Sequence, residues 1–210
     1  MSLLGPHINR PLDQIGWLAC VKPRVAKVLL DGLDPNWMRA ARNASPQTFW
    51  VGRFVDYRDP DDLVRRAEPY RGLVDALEGI NEPSIETHEQ MCQYADLEVQ
   101  RCEALHRAGW RAVVGSFARG TPELDHWPAF YQALEAGNYL GLHEYVPALP
   151  RDPRHDLWQQ LRYRQVYEHL PAALRKPLII TECGVDDGRG GGWRRYGDEQ
   201  TYLDYLRWYD

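Results

Sequence analysis

Residues 73–117 read LVDALEGINEPSIETHEQMCQYADLEVQRCEALHRAGWRAVVGSF, and this stretch decides the fold. Its two ends, Leu73–Asn81 and Arg111–Phe117, are apolar runs of the kind that forms strands buried on both faces. Between them, apolar side chains recur at helical spacing over Glu86–Ala108, and Gly109 ends the pattern. A strand, a helix and a second strand in this order predict a βαβ unit.

The same alternation of apolar runs and helical patterns continues in both directions from this unit. Seven strands are predicted in all: Leu3–Ile8, Val25–Leu30, Thr48–Val55, Leu73–Asn81, Arg111–Phe117, Tyr139–Tyr145 and Pro177–Gly184. The other predicted helices are Leu12–Cys20, Asn36–Asn43, Asp61–Tyr70, Glu123–Ala136, Asp156–Leu170 and residues 198–210. We expect residues 1–210 to form a single α/β domain, because 210 residues can bury one sizeable core.

Alternating units form either a doubly wound open sheet or a closed barrel, and alternation alone does not separate the two. A doubly wound nucleotide-binding protein has a glycine-rich turn after its first strand, and residues 7–11 (HINRP) are not such a turn. A full barrel has eight strands, but no eighth apolar run follows the last predicted helix. We therefore predict a (β/α)8-type TIM barrel with only seven βα units, its open edge covered by a helix, a partner strand or a second copy in a homo-oligomer.

Composition excludes several classes of function. Lys and Arg total 25 against 30 for Asp and Glu, so a net charge of −5 offers little to nucleic acid. No run of 18 apolar residues predicts a membrane span, and no signal peptide begins the sequence, so we expect a cytoplasmic protein, or a secreted one if this is an excised domain. The four cysteines are scattered, which predicts free, mostly buried thiols and neither a metal nor a cofactor.

Two carboxylates end strands that lie three steps apart around the predicted barrel. Glu82 follows strand four and Glu182 ends strand seven. The carboxyl ends of barrel strands surround the active site, and three steps approach the barrel diameter, so the two side chains should face each other across the mouth. Two carboxyl groups about 5 to 5.5 Å apart are what cleavage of a glycoside with retention requires.

Residues 81–83 (Asn-Glu-Pro) resemble the signature of clan A glycoside hydrolases, in which the acid/base glutamate follows an asparagine after strand four. Residues 181–184 (Thr-Glu-Cys-Gly) are similar to the Thr-Glu-x-Gly context of the nucleophile in that clan. The resemblance implies a retaining hydrolase that cleaves β-linked poly- or oligosaccharides by double displacement. It implies that Glu82 is the acid/base, Glu182 is the nucleophile, and Asn81 binds the sugar 2-hydroxyl.

Four more residues are candidates for substrate binding. His143 and Tyr145 on strand six resemble the His-x-Tyr of the clan, which implies that the tyrosine hydroxyl lies near the nucleophile. His7 ends strand one and is a subsite candidate. Trp193 follows the glycine-rich segment 188–192, which we expect to form a mobile loop over the site, and its flat ring suits a sugar.

The sequence departs from the clan pattern in two places, and a second function stays open. The clan carries an aromatic residue on strand eight, which has no counterpart here, and an arginine near strand two. Lys27 lies in the middle of strand two, so Arg53 on strand three is the candidate substitute. Taken alone, Glu82 could be a solvated helix-entry residue, and Glu182 could belong to a structural ion pair. The alternative function is therefore a non-catalytic carbohydrate-binding barrel.

Overall fold

The computed structural model describes residues 4–11, 13–147, 158, 161–186 and 192–209. Seven parallel strands form a nearly closed barrel in which each strand pairs with the next one along the chain. They are β1 (His7–Ile8), β2 (Val25–Leu29), β3 (Phe49–Arg53), β4 (Ala76–Glu78), β5 (Ala112–Phe117), β6 (Tyr139–Val146) and β7 (Leu178–Val185). This confirms the predicted fold class. Over the described ranges β1 pairs with β2 alone and β7 with β6 alone, so a seam separates the first strand from the last.

Helices connect successive strands, as the sequence predicts. They are α1 (Ile15–Val21), α2 (Pro35–Ala44), α3 (Pro60–Ala67), α4 (His88–Arg107), α5 (Tyr131–Ala136), α6 (Arg162–His169) and α7 (Glu199–Tyr209). The helix predicted over Glu123–Ala136 begins instead as 3₁₀ turns at Leu124–Phe130, because Pro128 has no N–H to donate to an α-helical bond. None of the described helices is long and apolar enough to cross a membrane.

Parts of five predicted segments lie outside the described residues. These are the first residue of the strand predicted from Leu3, the first residue of the helix predicted from Leu12, most of the helix start predicted from Asp156, residues 188–191 of the glycine-rich segment, and the last residue of the helix predicted over residues 198–210. All four cysteines are free thiols, as predicted. Cys102 is buried, but Cys20 is exposed, so fewer of the thiols are buried than predicted.

The strands separate two apolar layers. The larger layer lies between the strands and the helices and includes residues from every helix from α1 to α6. A smaller cluster fills the barrel interior, with buried Val51, Ala76 and Val113 at its centre. Val25 and Ile179 pack against this cluster from β2 and β7. Because side chains alternate between faces, residues two positions further along a strand form the next interior layer, towards the mouth.

An irregularity in β7 changes which face of the strand looks inward. Ile179 packs in the interior cluster, and Ile180 packs against the outer core. Strict alternation would then place Thr181 inside and Glu182 outside. The register with β6 shifts at this point, since Leu142 pairs with Ile180 but the next residue of β6 pairs with Glu182. The bulge therefore turns the Glu182 side chain into the barrel.

A second irregularity has the same effect in β5. Val113 lies in the interior cluster and Val114 in the outer core. The register with β6 shifts between Gly115 and Phe117, and Gly115 and Ser116 both have positive φ, of 100° and 52°. Ser116 thereby enters the interior, where its hydroxyl contacts a carboxylate of β4, and Phe117 joins the outer core.

Candidate active site

The two glutamates singled out in the sequence converge at the mouth of the barrel. One carboxylate oxygen of Glu82, one of Glu182 and a ring nitrogen of His143 all lie within 4.8 Å of one another. The side chain of Glu182 is 11% exposed and that of Glu82 is 37% exposed. Glu182 is thus set into the wall of the site, whereas Glu82 reaches solvent.

Glu82 has a backbone conformation that is uncommon for residues other than glycine. Its φ is 46°, and its N–H donates to the carbonyl of Ser116 at 3.0 Å. Residues of this kind are found mainly where the surrounding structure enforces them, and they cluster at active sites. The regular part of β4 ends at Glu78, so the turn after the strand, rather than the strand itself, holds Glu82 over the mouth.

Glu182 is surrounded by cationic and hydrogen-bonding groups. The ammonium of Lys27 donates to its Oε1 at 2.7 Å, and the Tyr145 hydroxyl donates to its Oε2 at 2.7 Å. Arg53 Nη1 and His7 Nδ1 lie 3.6 and 3.7 Å from Oε1. Burial by itself raises the pKa of Glu182, but Lys27 and the other positive neighbours outweigh it and lower this pKa to about 2. Glu182 is therefore ionised at neutral pH.

Glu82 is paired with a buried histidine. His143 Nδ1 lies 2.9 Å from Glu82 Oε1, and its Nε2 lies 3.8 Å from carboxylate oxygens of both Glu78 and Glu182. Burial opposes protonation of the imidazole, but the surrounding carboxylates of Glu78, Glu82 and Glu182 raise the pKa of His143. The ring thus links one glutamate of the pair to the other.

The remaining predicted residues divide into two groups. The amide oxygen of Asn81 accepts a hydrogen bond from Arg53, which places Asn81 beside the pair. His7 also reaches the pair, and burial, followed by the charge of Lys27, lowers its pKa to about 4, so this imidazole is neutral at pH 7. Trp193 lies instead in an aromatic cluster with α7, where it stacks on Tyr202 with ring centroids 4.9 Å apart.

Two buried residues of the site were not among the sequence candidates. Lys27 is 3% exposed and contacts two carboxylates, Glu78 Oε2 at 2.5 Å and Glu182 Oε1 at 2.7 Å. Glu78 is fully buried below the mouth. Alternation along the strands indicates both residues. Lys27 lies two positions after Val25 and Glu78 two positions after Ala76, so each shares the interior face with the earlier residue. A charged residue at such a position in an apolar strand points into the barrel.

The atoms of Glu82, His143 and Glu182 are of the types that bind divalent cations. Their surroundings oppose metal binding, because the Lys27 ammonium already forms an ion pair with the Glu182 carboxylate. The Arg53 guanidinium lies 3.6 Å from the same carboxylate. A metal ion here would meet two fixed positive charges. The arrangement favours proton transfer and nucleophilic attack over metal binding.

A cavity of about 540 Å³ opens the site along the seam between β1 and β7. Its lining includes Glu182, Lys27 and His7 together with the apolar side chains of Phe49 and Ile179. Its volume is within the range of small-molecule sites. Glu182 is therefore reached through a recess as well as across the mouth.

No family model matches the sequence, and no curated protein matches it either. Solved structures do share the fold. N2152 from Neocallimastix frontalis superposes with a TM-score of 0.62 at 16% identity, over 88% of this chain and 52% of that one. A GH26 β-mannanase from Bacteroides ovatus gives 0.56 at 11% identity, over 87% and 72%. The endo-β-1,4-mannanase from Thermotoga petrophila gives 0.55 at 10% identity, over 89% and 62%.

The chain thus spans about half the length of N2152 and 62% of the Thermotoga mannanase chain. At these identities the likeness shows the barrel fold, which glycoside hydrolases share with many other enzymes. The chemistry of such a barrel depends on the residues of its site.

Proposed function

We propose that this chain is a retaining glycoside hydrolase acting on β-linked poly- or oligosaccharides. The observation that carries the proposal is the convergence of Glu82 and Glu182, whose oxygens lie within 4.8 Å of each other. In retaining enzymes the two carboxyl groups are about 5 to 5.5 Å apart, whereas inverting enzymes separate them by about 6.5 to 9.5 Å to admit a water molecule. The distance supports retention.

The environments of the two glutamates support different roles. Glu182 is mostly shielded from solvent against Lys27 and stays ionised, as a nucleophile must. It attacks the anomeric carbon while Glu82 donates a proton to the leaving oxygen, which breaks the glycosidic bond and leaves a glycosyl ester on Glu182. Glu82 then takes a proton from water, and that water attacks the same carbon and releases Glu182.

The neighbouring side chains support transition-state binding. Arg53 holds the amide oxygen of Asn81, so the amide hydrogens remain to donate to a sugar hydroxyl. A hydrogen bond to the 2-hydroxyl strengthens as positive charge develops at the anomeric carbon. The Tyr145 hydroxyl fixes the second oxygen of Glu182, which orients the first for attack.

The fold neighbours guide the choice of substrate. Two of them are described as β-mannanases, so aryl β-mannosides and β-1,4-mannan oligosaccharides come first in a panel that also includes aryl β-glucosides. The partner we propose is thus a carbohydrate, bound across the mouth between the ends of β4 and β7.

The test is hydrolysis of this panel by the wild-type chain and by two variants. Glu182→Gln should abolish turnover because an amide cannot form the glycosyl ester. Glu82→Ala should lose most activity, and azide should restore part of it on activated substrates by yielding β-glycosyl azide. Glu144→Gln is the matched control, because Glu144 is a buried glutamate on β6 that faces away from the pair and accepts hydrogen bonds from the backbone at Leu161 and Tyr163. Undiminished hydrolysis by Glu182→Gln would remove the proposed nucleophile.

The second candidate is a non-catalytic carbohydrate-binding barrel. The seam between β1 and β7 in the described part of the chain favours it, because a wall interrupted at that point holds the glutamate pair less rigidly than a continuous one. Oligosaccharide binding by calorimetry with no product by chromatography would support this candidate and contradict the first.

A further inference from the structure

Glu78 is a buried carboxylate beside the glutamate pair that the proposed reaction does not use. It is fully buried, and groups of three other strands face it. Lys27 from β2 forms an ion pair with its Oε2 at 2.5 Å, and Ser116 from β5 donates a hydrogen bond to its Oε1 at 2.8 Å. His143 from β6 lies 3.8 Å from the same Oε1. A charge buried this deeply is costly unless such partners compensate for it.

Glu78 is connected to both members of the glutamate pair through these partners. The Lys27 ammonium that it binds also contacts Glu182, and the His143 ring beside it also contacts Glu82. The two routes are short, since each passes through one side chain. Burial opposes ionisation of Glu78, but Lys27 and His143 outweigh it and hold its pKa well below the usual range, so the carboxylate is charged at neutral pH.

We propose that Glu78 is a positioning residue of the site, which holds the Lys27 ammonium against Glu182 and provides a permanent counter-charge for Lys27 and His143. The inference rests on the proposed function and extends it to a residue that touches neither substrate nor the reacting atoms.

The need for a second carboxylate follows from the chemistry. When the glycosyl ester forms, Glu182 loses its negative charge, and Lys27 and Arg53 are left facing a neutral oxygen. Glu78 keeps its charge throughout, so Lys27 retains an ion-pair partner and stays in place for the hydrolysis step. Ser116, which the bulge in β5 turns inward, fixes the orientation of the Glu78 carboxylate.

The decisive variant is Glu78→Gln, which removes the charge and keeps the shape. We expect kcat to fall by about 10- to 100-fold, the range seen when the hydrogen-bond partner of a metal ligand is removed, because Glu78 supports Lys27 in the same indirect way. KM should change little because Glu78 does not reach the sugar. Glu78→Asp restores the charge and should recover part of kcat. Glu144→Gln should retain both constants, which controls for the loss of a buried carboxylate in general.

A measurement that needs no turnover tests the inference separately from the proposed function. In an NMR titration of the His143 ring, Glu78→Gln should lower the midpoint, because only Glu82 and Glu182 then remain as acidic neighbours beside the cation of Lys27. Tyr145 also faces this ring, but burial and the charge of Glu182 raise its pKa, so it stays neutral in both proteins. Glu144→Gln should leave the midpoint in place.

The outcomes are distinguishable. No hydrolysis by the wild type together with a shifted His143 midpoint would refute the proposed function and retain the role of Glu78 in the charge network. Hydrolysis by the wild type with an unshifted midpoint and normal kcat in Glu78→Gln would overturn the inference alone. If Glu78→Gln does not fold, Ser116→Ala, which leaves every charge in place, should still lower kcat by releasing the carboxylate, and normal kcat in that variant would overturn the inference.

Discussion

The buried ion pair between Glu98 and Arg101 on α4 should contribute to stability in a way that a double-mutant cycle can measure. Both side chains are 1% exposed, and the guanidinium donates to both oxygens of Glu98 at 2.7 Å. Arg101 also donates to the carbonyls of Leu77 and Val113, at 3.3 and 2.7 Å. The pair therefore ties α4 to β4 and β5, the strands that carry Glu78 and Ser116.

The expected loss in the free energy of unfolding depends on which charged and polar groups each substitution leaves buried without a partner. Arg101→Met leaves the Glu98 carboxylate buried without its partner, which typically costs about 3 to 5 kcal/mol. For a chain of this size that loss corresponds to a fall in Tm of about 6 to 20 °C. Glu98→Leu together with Arg101→Met removes both charges, so the remaining losses are the hydrogen bonds to the two carbonyls and the one that the Gly115 N–H donates to Glu98, at about 1 kcal/mol each. The double variant should therefore be more stable than Arg101→Met alone.

The assay is urea unfolding followed by tryptophan fluorescence and circular dichroism, with both probes required to give one transition. Asp204 and Arg207 on α7 form an ion pair with the same spacing of three residues, but they are 61% and 68% exposed. Arg207→Met should therefore cost less than about 1 kcal/mol. Additive losses in the double variant, or a loss below about 1 kcal/mol for Arg101→Met, would refute the reasoning.

Two further predictions concern stability. A methyl group at Gly79 would stand 2.6 Å from Glu98 Oε1 and 2.8 Å from Arg101 Nε. Gly79→Ala should therefore lower the free energy of unfolding by about 1 to 3 kcal/mol in the same urea assay, and an unchanged midpoint would contradict this. Burial raises the pKa of Glu144 to about 7, above its unfolded value of 4.5, so the folded state binds the extra proton and stability falls as pH rises through this interval. Between pH 5 and pH 7.5 the free energy of unfolding of the wild type should fall relative to that of Glu144→Gln. The same change in both proteins would contradict this prediction.

The order of the barrel strands could be predicted because parallel strands buried on both faces leave a direct trace in the sequence. Runs such as Val25–Leu29 and Leu178–Val185 are apolar almost throughout, and each is followed by a helical pattern. The residues that end strands four and seven could then be assigned to one rim. The helix predicted over Glu123–Ala136 was less accurate, because Pro128 changes the hydrogen bonding inside a segment whose apolar spacing still looks helical.

The two buried residues below the mouth, Lys27 and Glu78, were not predicted as site residues, although the alternation of side chains along their strands indicated them. Lys27 was set aside because it lies in the middle of a strand, and Glu78 was not considered as a candidate. In a barrel, however, the middle of a strand lies just below the mouth. A side chain there that points into the barrel can contact a side chain at the mouth on another strand. Lys27 does so by contacting Glu182 at 2.7 Å. Position along the strand was the wrong criterion, and the face of the strand was the right one.

The face of β7 from which Glu182 projects could not have been predicted by counting alternate residues along the strand. Alternation from Ile179, which packs inside, leads to Thr181, and a strict count would have directed Glu182 into the outer layer. The bulge reverses this at a cost, since it interrupts the ladder with β6 and leaves the buried Thr181 hydroxyl without a hydrogen-bond partner among the described residues. Packing alone does not require it, because an apolar residue at 182 on a regular strand would have filled the outer layer. The bulge brings Glu182 against Lys27 and within reach of Glu82, and this is why we interpret the pair as a built site rather than a by-product of the barrel.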